Sequence, residues 1–97
     1  MEPRVGFKRR PLPRTFCFHW GGGQIVEEAT FVGQHHEPTL QLLEYEDGSL
    51  SIRFCSYNHR GQFQRTPLMV NEEDLRALKE DLQQCPRLRA LLEKVLD

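Results

Sequence analysis

The sequence predicts an α+β domain, in which a curved antiparallel sheet of four to five strands is followed by a C-terminal helix broken near Pro86. Three observations carry that reading. Between Thr15 and Val70, aromatic and branched aliphatic residues recur with a period near two, punctuated by Gly, Asn and Asp. Asp47-Gly48 stands between two such extended patterns, as in a tight hairpin whose central residues both take positive φ. At Asn71 the period changes, and Leu75, Leu78 and Leu82 recur at helical spacing.

Residues 1–14 precede the first strand and carry Arg4, Lys8, Arg9, Arg10 and Arg14 against Glu2 alone. Residues 15–70 hold three basic and six acidic side chains, and residues 71–97 hold five and seven. The net charge of −1 therefore divides into a basic arm and a mildly acidic body, 15–97, read as one domain. Such an arm can hold nucleic acid by displacing counterions from phosphates. It can equally be a solubilising extension, since Pro3, Pro11 and Pro13 disfavour regular structure.

Thr15 to Trp20 reads as the first strand, with Phe16, Phe18 and Trp20 on one side and Cys17 and His19 on the other. Gly21-Gly22-Gly23 reads as a turn. Gln24 to Gly33 is the second strand, His35 to Pro38 a connection, and Thr39 to Glu46 the third strand. The fourth, Ser49 to Tyr57, sends Leu50, Ile52 and Phe54 to a packed face and Ser51, Arg53, Cys55 and Tyr57 to a wet one. After Asn58 to Gly61, a fifth strand spans Gln62 to Val70, kinked or at an edge because Pro67 has no amide to donate. Asn71 is a favourable N-cap, and Glu72, Glu73 and Asp74 complement the helix dipole. Cys85-Pro86 interrupts the helix, so the final segment is either a second helix with Pro86 in its first turn or a kinked continuation. Its stripe of Leu88, Leu91, Leu92, Val95 and Leu96 can cover the sheet or meet a partner.

Composition narrows the function. The longest uncharged run, Thr15 to Val26, is too short for a span of about 20 apolar residues and is broken by the glycines, so no membrane association is expected. No apolar region follows the basic N-terminus as in a secretory signal. Cys17, Cys55 and Cys85 are odd in number and widely spaced, which suits a reducing, cytoplasmic setting. The triple Gly lacks the Lys-Ser/Thr of a phosphate-binding loop. Cys17 with His19, His35-His36, and Cys55 with His59 lack zinc-ligand spacing, and no catalytic constellation or cofactor motif is present. A non-enzymatic role is expected, without cofactor or metal.

The informative stretch is the outer part of the fourth and fifth strands with their loop. Arg53, Tyr57, Asn58, His59, Arg60, Gln62, Gln64 and Arg65 interleave cations with an aromatic ring, and Phe63 adds a second ring if the fifth strand turns that way. Single-stranded nucleic acid is bound by such surfaces, cations tracking phosphates and rings stacking on bases. An ordinary polar sheet face has the same composition.

From Asp47-Gly48 to Leu82 the order is hairpin, alternating strand ending in Tyr57, Gly61 loop, basic strand, Leu68-Met69-Val70-Asn71, and a helix opening Glu72-Glu73-Asp74-Leu75 with Leu78-Lys79-Glu80. This order resembles the C-terminal domain of the transcriptional positive cofactor four family, over about residues 47–82. The resemblance implies a curved sheet and helix, a homodimer, binding of single-stranded DNA, and a role in transcription. It places Leu50, Ile52 and Phe54 inward, Tyr57 on the family's aromatic, and Arg60 and Arg65 among its DNA-contacting cations. Asn58 stands where the family has a bulky aromatic, Cys55 where it tends to be basic, and Thr15 to Gly33 is additional.

The combined expectation is a single-stranded nucleic-acid-binding module using Lys8, Arg9 and Arg10 of the arm with Arg53, Tyr57, Arg60 and Arg65 of the sheet. Leu88, Leu91, Leu92 and Val95 are the expected dimer or partner contacts. The competing expectation is a protein-interaction module that docks through its C-terminal helix and binds no nucleic acid, which the isoelectric point near 6.4 favours.

Overall fold

The structure is a computed structural model that describes residues 10–33, 36–65 and 68–96. Five strands form one antiparallel meander: β1 Arg14–Phe18, β2 Gly21–Thr30, β3 Glu37–Tyr45, β4 Leu50–Tyr57 and β5 Phe63–Gln64, in the spatial order of the sequence. A 3₁₀ turn, Glu72–Asp74, leads into α1, Leu75–Leu82, and then α2, Pro86–Glu93. Pro86 occupies the first turn of α2, so the chain resolves into two helices rather than a kinked one.

The sheet is strongly curled. The Arg53 guanidinium on β4 lies 5.9 Å from the centre of the Phe18 ring on β1, three strands away. In a flat sheet those strands would stand about 14 Å apart. A register shift in β2 between Ile25 and Glu27 adds to the bend. The two faces consequently differ. On the outer face Ala29, Leu40 and Leu42 pack against Leu78, Cys85 and Leu88, with Ile52, Leu82, Leu91 and Leu92 around them. On the inner face Phe16, Ile25 and Leu43 form a smaller core beside Phe18 and Tyr45.

Two carboxylates, Glu27 on the sheet and Asp81 on α1, fix the helices. Glu27 accepts the Leu88 amide at 2.8 Å and the Arg87 amide at 3.4 Å, so β2 caps the start of α2. Asp81 of α1 accepts the Thr30 amide at 2.7 Å. The Asn71 side chain makes no capping bond; the Asn71 backbone carbonyl accepts the Asp74 amide instead.

Several expectations are corrected. The glycine triplet is not the turn: Gly21, Gly22 and Gly23 are paired residues of β2, and His19-Trp20 makes the reversal. At Gly23 an added Cβ would lie 2.1 Å from the Glu44 carbonyl oxygen, so the backbones approach too closely for a side chain. The β3–β4 hairpin falls at Asp47-Gly48 as expected, but only Gly48 has positive φ, at 88°. Its amide donates to the Tyr45 carbonyl, giving a type I turn followed by a glycine bulge. β5 is two residues long and lies at the sheet edge, while Pro67 lies outside the described residues.

The packed and wet faces of β4 also depart from the alternation. Ile52 joins the outer core, yet Leu50 is 41% and Phe54 54% exposed. Two helices of eight residues are each about 12 Å long and leave part of the outer face uncovered. Cys55 and Tyr57 are buried, because the curl closes the inner face over them. Among the described residues no helix is long and apolar enough to cross a membrane.

Candidate nucleic-acid interface

The inner face is built around a buried carboxylate. Glu28 on β2 faces Gln41 on β3, which faces Arg53 on β4. Arg14 donates to both Glu28 oxygens, at 3.3 and 2.7 Å, and Gln41 donates to Oε2 at 2.7 Å. Arg10 adds an ion pair to Glu28 at 3.5 Å and a hydrogen bond to Glu37 at 3.1 Å. Burial pushes the Glu28 carboxyl up, but the hydrogen bonds from Arg14 and Gln41 and the charges of Arg10 and Arg14 outweigh it and hold it below the usual carboxylate range. Burial likewise disfavours the charged form of Arg14, and Glu28 reverses the balance, raising the guanidinium pKa.

The network extends to the aromatic residues. Gln41 donates from Nε2 to the Tyr57 hydroxyl at 3.0 Å, and Arg53 donates from Nε to the Gln41 carbonyl at 2.7 Å. Arg10 lies over the Tyr57 ring, 4.0 Å from its centre, and Phe63 meets that ring edge-on at 5.7 Å. Cys55 sits among these groups, and burial pushes its thiol up to about 11.

Beside this interior runs an open row of rings. Trp20, 66% exposed, stacks on Phe18 with centres 4.6 Å apart and planes 10° from parallel. Arg53 comes next, 5.9 Å from Phe18 and 4.9 Å from Phe63, which is 47% exposed. The order along the open side of the sheet is Trp20, Phe18, Arg53, Phe63. Arg60 in the β4–β5 loop and Arg65 beyond β5 are exposed at the same end as Phe63.

The expected site residues are thus partly assembled. Arg60 and Arg65 are exposed, and Arg53 is half-buried and tethered by Gln41. Tyr57 is corrected: at 7% exposure, with one ring face under Arg10, it offers no free stacking surface. Arg10 is corrected as well, since it folds into the sheet against Glu28 and Glu37 rather than extending as a free cation. Lys8 and Arg9 lie outside the described residues. The open ring surface expected at Tyr57 is found instead at Trp20, which is exposed and stacked on Phe18. Their spacing of two in the first strand was the available signal, but only the curl brings that strand to Arg53.

The expected partner stripe is also redistributed. Leu88 is fully buried under the chain's own sheet, and Leu91 and Leu92 pack against the same core. Val95 and Leu96 remain exposed beyond α2. Burial of Leu88 removes the centre of the helical docking surface. Among the described residues no three His, Cys, Asp or Glu side chains gather as metal ligands.

No protein-family description, no curated protein and no solved structure matches the chain.

Proposed function

We propose that this α+β half-barrel is a non-enzymatic module that binds single-stranded nucleic acid, DNA in the first instance, across the open side of its sheet. The observation that carries the reading is the row Trp20, Phe18, Arg53 and Phe63, in which half-buried Phe18, stacked on exposed Trp20, and exposed Phe63 flank a guanidinium held in place by Gln41. Successive bases stack on such rings while Arg53, Arg60 and Arg65 follow the phosphates, with little base readout. A role in transcription accords with the sequence resemblance over residues 47–82.

The test is fluorescence anisotropy of a labelled single-stranded oligonucleotide at two salt concentrations, with duplex as control. Binding that prefers the single strand and weakens with salt supports the proposal. Trp20 is the chain's one tryptophan, so stacking on it also quenches the intrinsic fluorescence. Trp20→Ala and Phe63→Ala are each expected to weaken binding roughly tenfold. Absence of binding at low salt refutes the proposal.

A further inference from the structure

We infer that the edge of β4 that no described residue covers pairs with β4 of a second copy of this chain, in antiparallel two-fold register centred on Ile52. This inference stands apart from the nucleic-acid proposal and rests on strand pairing.

β5 covers only the end of β4, pairing Gln64 with Ser56 and Phe63 with Tyr57. The hairpin bond from the Tyr45 amide to the Ser49 carbonyl fixes the phase of the β3–β4 ladder. Within it Ser51, Arg53 and Cys55 direct their backbone groups to β3, and Leu50, Ile52 and Phe54 direct theirs outward. Among the described residues nothing pairs with those outward groups. A strand edge with outward backbone groups of this kind can template the addition of another strand.

The side chains select a second copy. Two-fold pairing about Ile52 sets Leu50 against Phe54 of the other copy twice over, apolar opposite apolar on the outer face. On the inner face it sets Arg53 against Ser51. The neighbouring register, centred on Arg53, would place two guanidinium groups opposite each other in a close pair, which like charge disfavours. The register centred on Ser51 would set Leu50 against Ile52 but Phe54 against Gly48 in the turn, leaving the exposed Phe54 ring without an apolar partner. The Ile52-centred register also brings exposed Arg65, just beyond β5 of one copy, toward the Asp47 turn of the other.

The outer surface at this edge carries the apolar area that such a dimer would cover. α2 starts on β2, where Glu27 holds its first amides, and crosses β3 to reach β4. Its C-terminal end therefore delivers Val95 and Leu96, both exposed, to the same side as Leu50 and Phe54. Joined at β4, two curled sheets would form one continuous sheet with their open rows of rings side by side.

Sedimentation equilibrium of the full chain tests the pairing. The wild type is expected to dimerise with concentration. Leu50→Lys/Phe54→Lys sets Lys against Lys at both pairs and is expected to weaken the dimer at least tenfold. Leu50→Lys/Phe54→Glu sets Lys against Glu and is expected to recover it. Both positions are solvent-exposed, and far-ultraviolet circular dichroism checks that each variant stays folded. A wild type that remains monomeric up to about 1 mM overturns the inference. So does a dimer indifferent to the Lys pair, or a Lys/Glu variant no tighter than the Lys pair. A monomer whose edge instead takes up an unrelated extended peptide overturns the choice of a second copy.

Discussion

Replacing Glu28 by Gln keeps the side chain's shape and removes the charge at the centre of the inner face. In the native protein that carboxylate takes two hydrogen bonds from Arg14 and one from Gln41, and pairs with Arg10. Glutamine can retain one acceptor but turns an amide donor toward groups that are themselves donors. Breaking a buried ion pair on one side costs about 3–5 kcal/mol. The arginine side chains retain 17% and 22% exposure, so water can recover part of their hydration, and the lower end, about 3 kcal/mol, is expected. For a chain of this length that corresponds to a fall in Tm of about 15 °C by calorimetry.

The pH dependence carries a definite sign. The folded pKa of Glu28 lies below its unfolded value, so its stabilisation is present above the ordinary glutamate range and is lost as pH falls through the folded pKa. Wild type and Glu28→Gln should therefore differ most near neutrality and converge in acid. A loss below about 1 kcal/mol, or a difference constant down to strongly acid pH, would show that the network is solvated and that the carboxylate does not organise the inner face.

Further outcomes follow from the packing. Gly23→Ala places a Cβ 2.1 Å from the Glu44 carbonyl oxygen, and should destabilise the fold by about 2 kcal/mol or more in urea unfolding; a neutral result would mean that β2 and β3 part easily. Leu88→Ala removes a fully buried side chain by which α2 packs onto the sheet and should cost about 3 kcal/mol in the same assay. Of the three cysteines, exposed Cys17 should react rapidly with a thiol reagent in the native protein. Cys55, buried and with its thiol pushed up to about 11, should react only on unfolding, and rapid native labelling there would contradict the closed inner face.

Much of the fold is legible locally. Asp47-Gly48 and Asn58 to Gly61 make the turns their residues favour, because each glycine supplies the positive φ its turn requires. Pro86 starts a helix because the first turn needs no amide donor there. The leucine period after Asn71 marks α1 correctly, although a 3₁₀ turn rather than the Asn71 side chain begins it.

The site was less legible, since alternation assigns a residue to one side of a strand but does not say which side ends up covered. Tyr57 and Cys55 alternate as wet residues, yet the curl buries them; Leu50 and Phe54 alternate as core residues, yet the helices are too short to reach over them. The sequence by itself determined the succession of five strands, the Asp47-Gly48 and Asn58 to Gly61 turns, the helix break and the pool of rings and cations. Only the tertiary structure decided which of them meet. Curvature is a property of the whole sheet, and bringing Phe18 within 5.9 Å of Arg53 needs glycines in β2, a shifted register and Glu28 drawing two arginines inward, all acting across strands far apart in the chain.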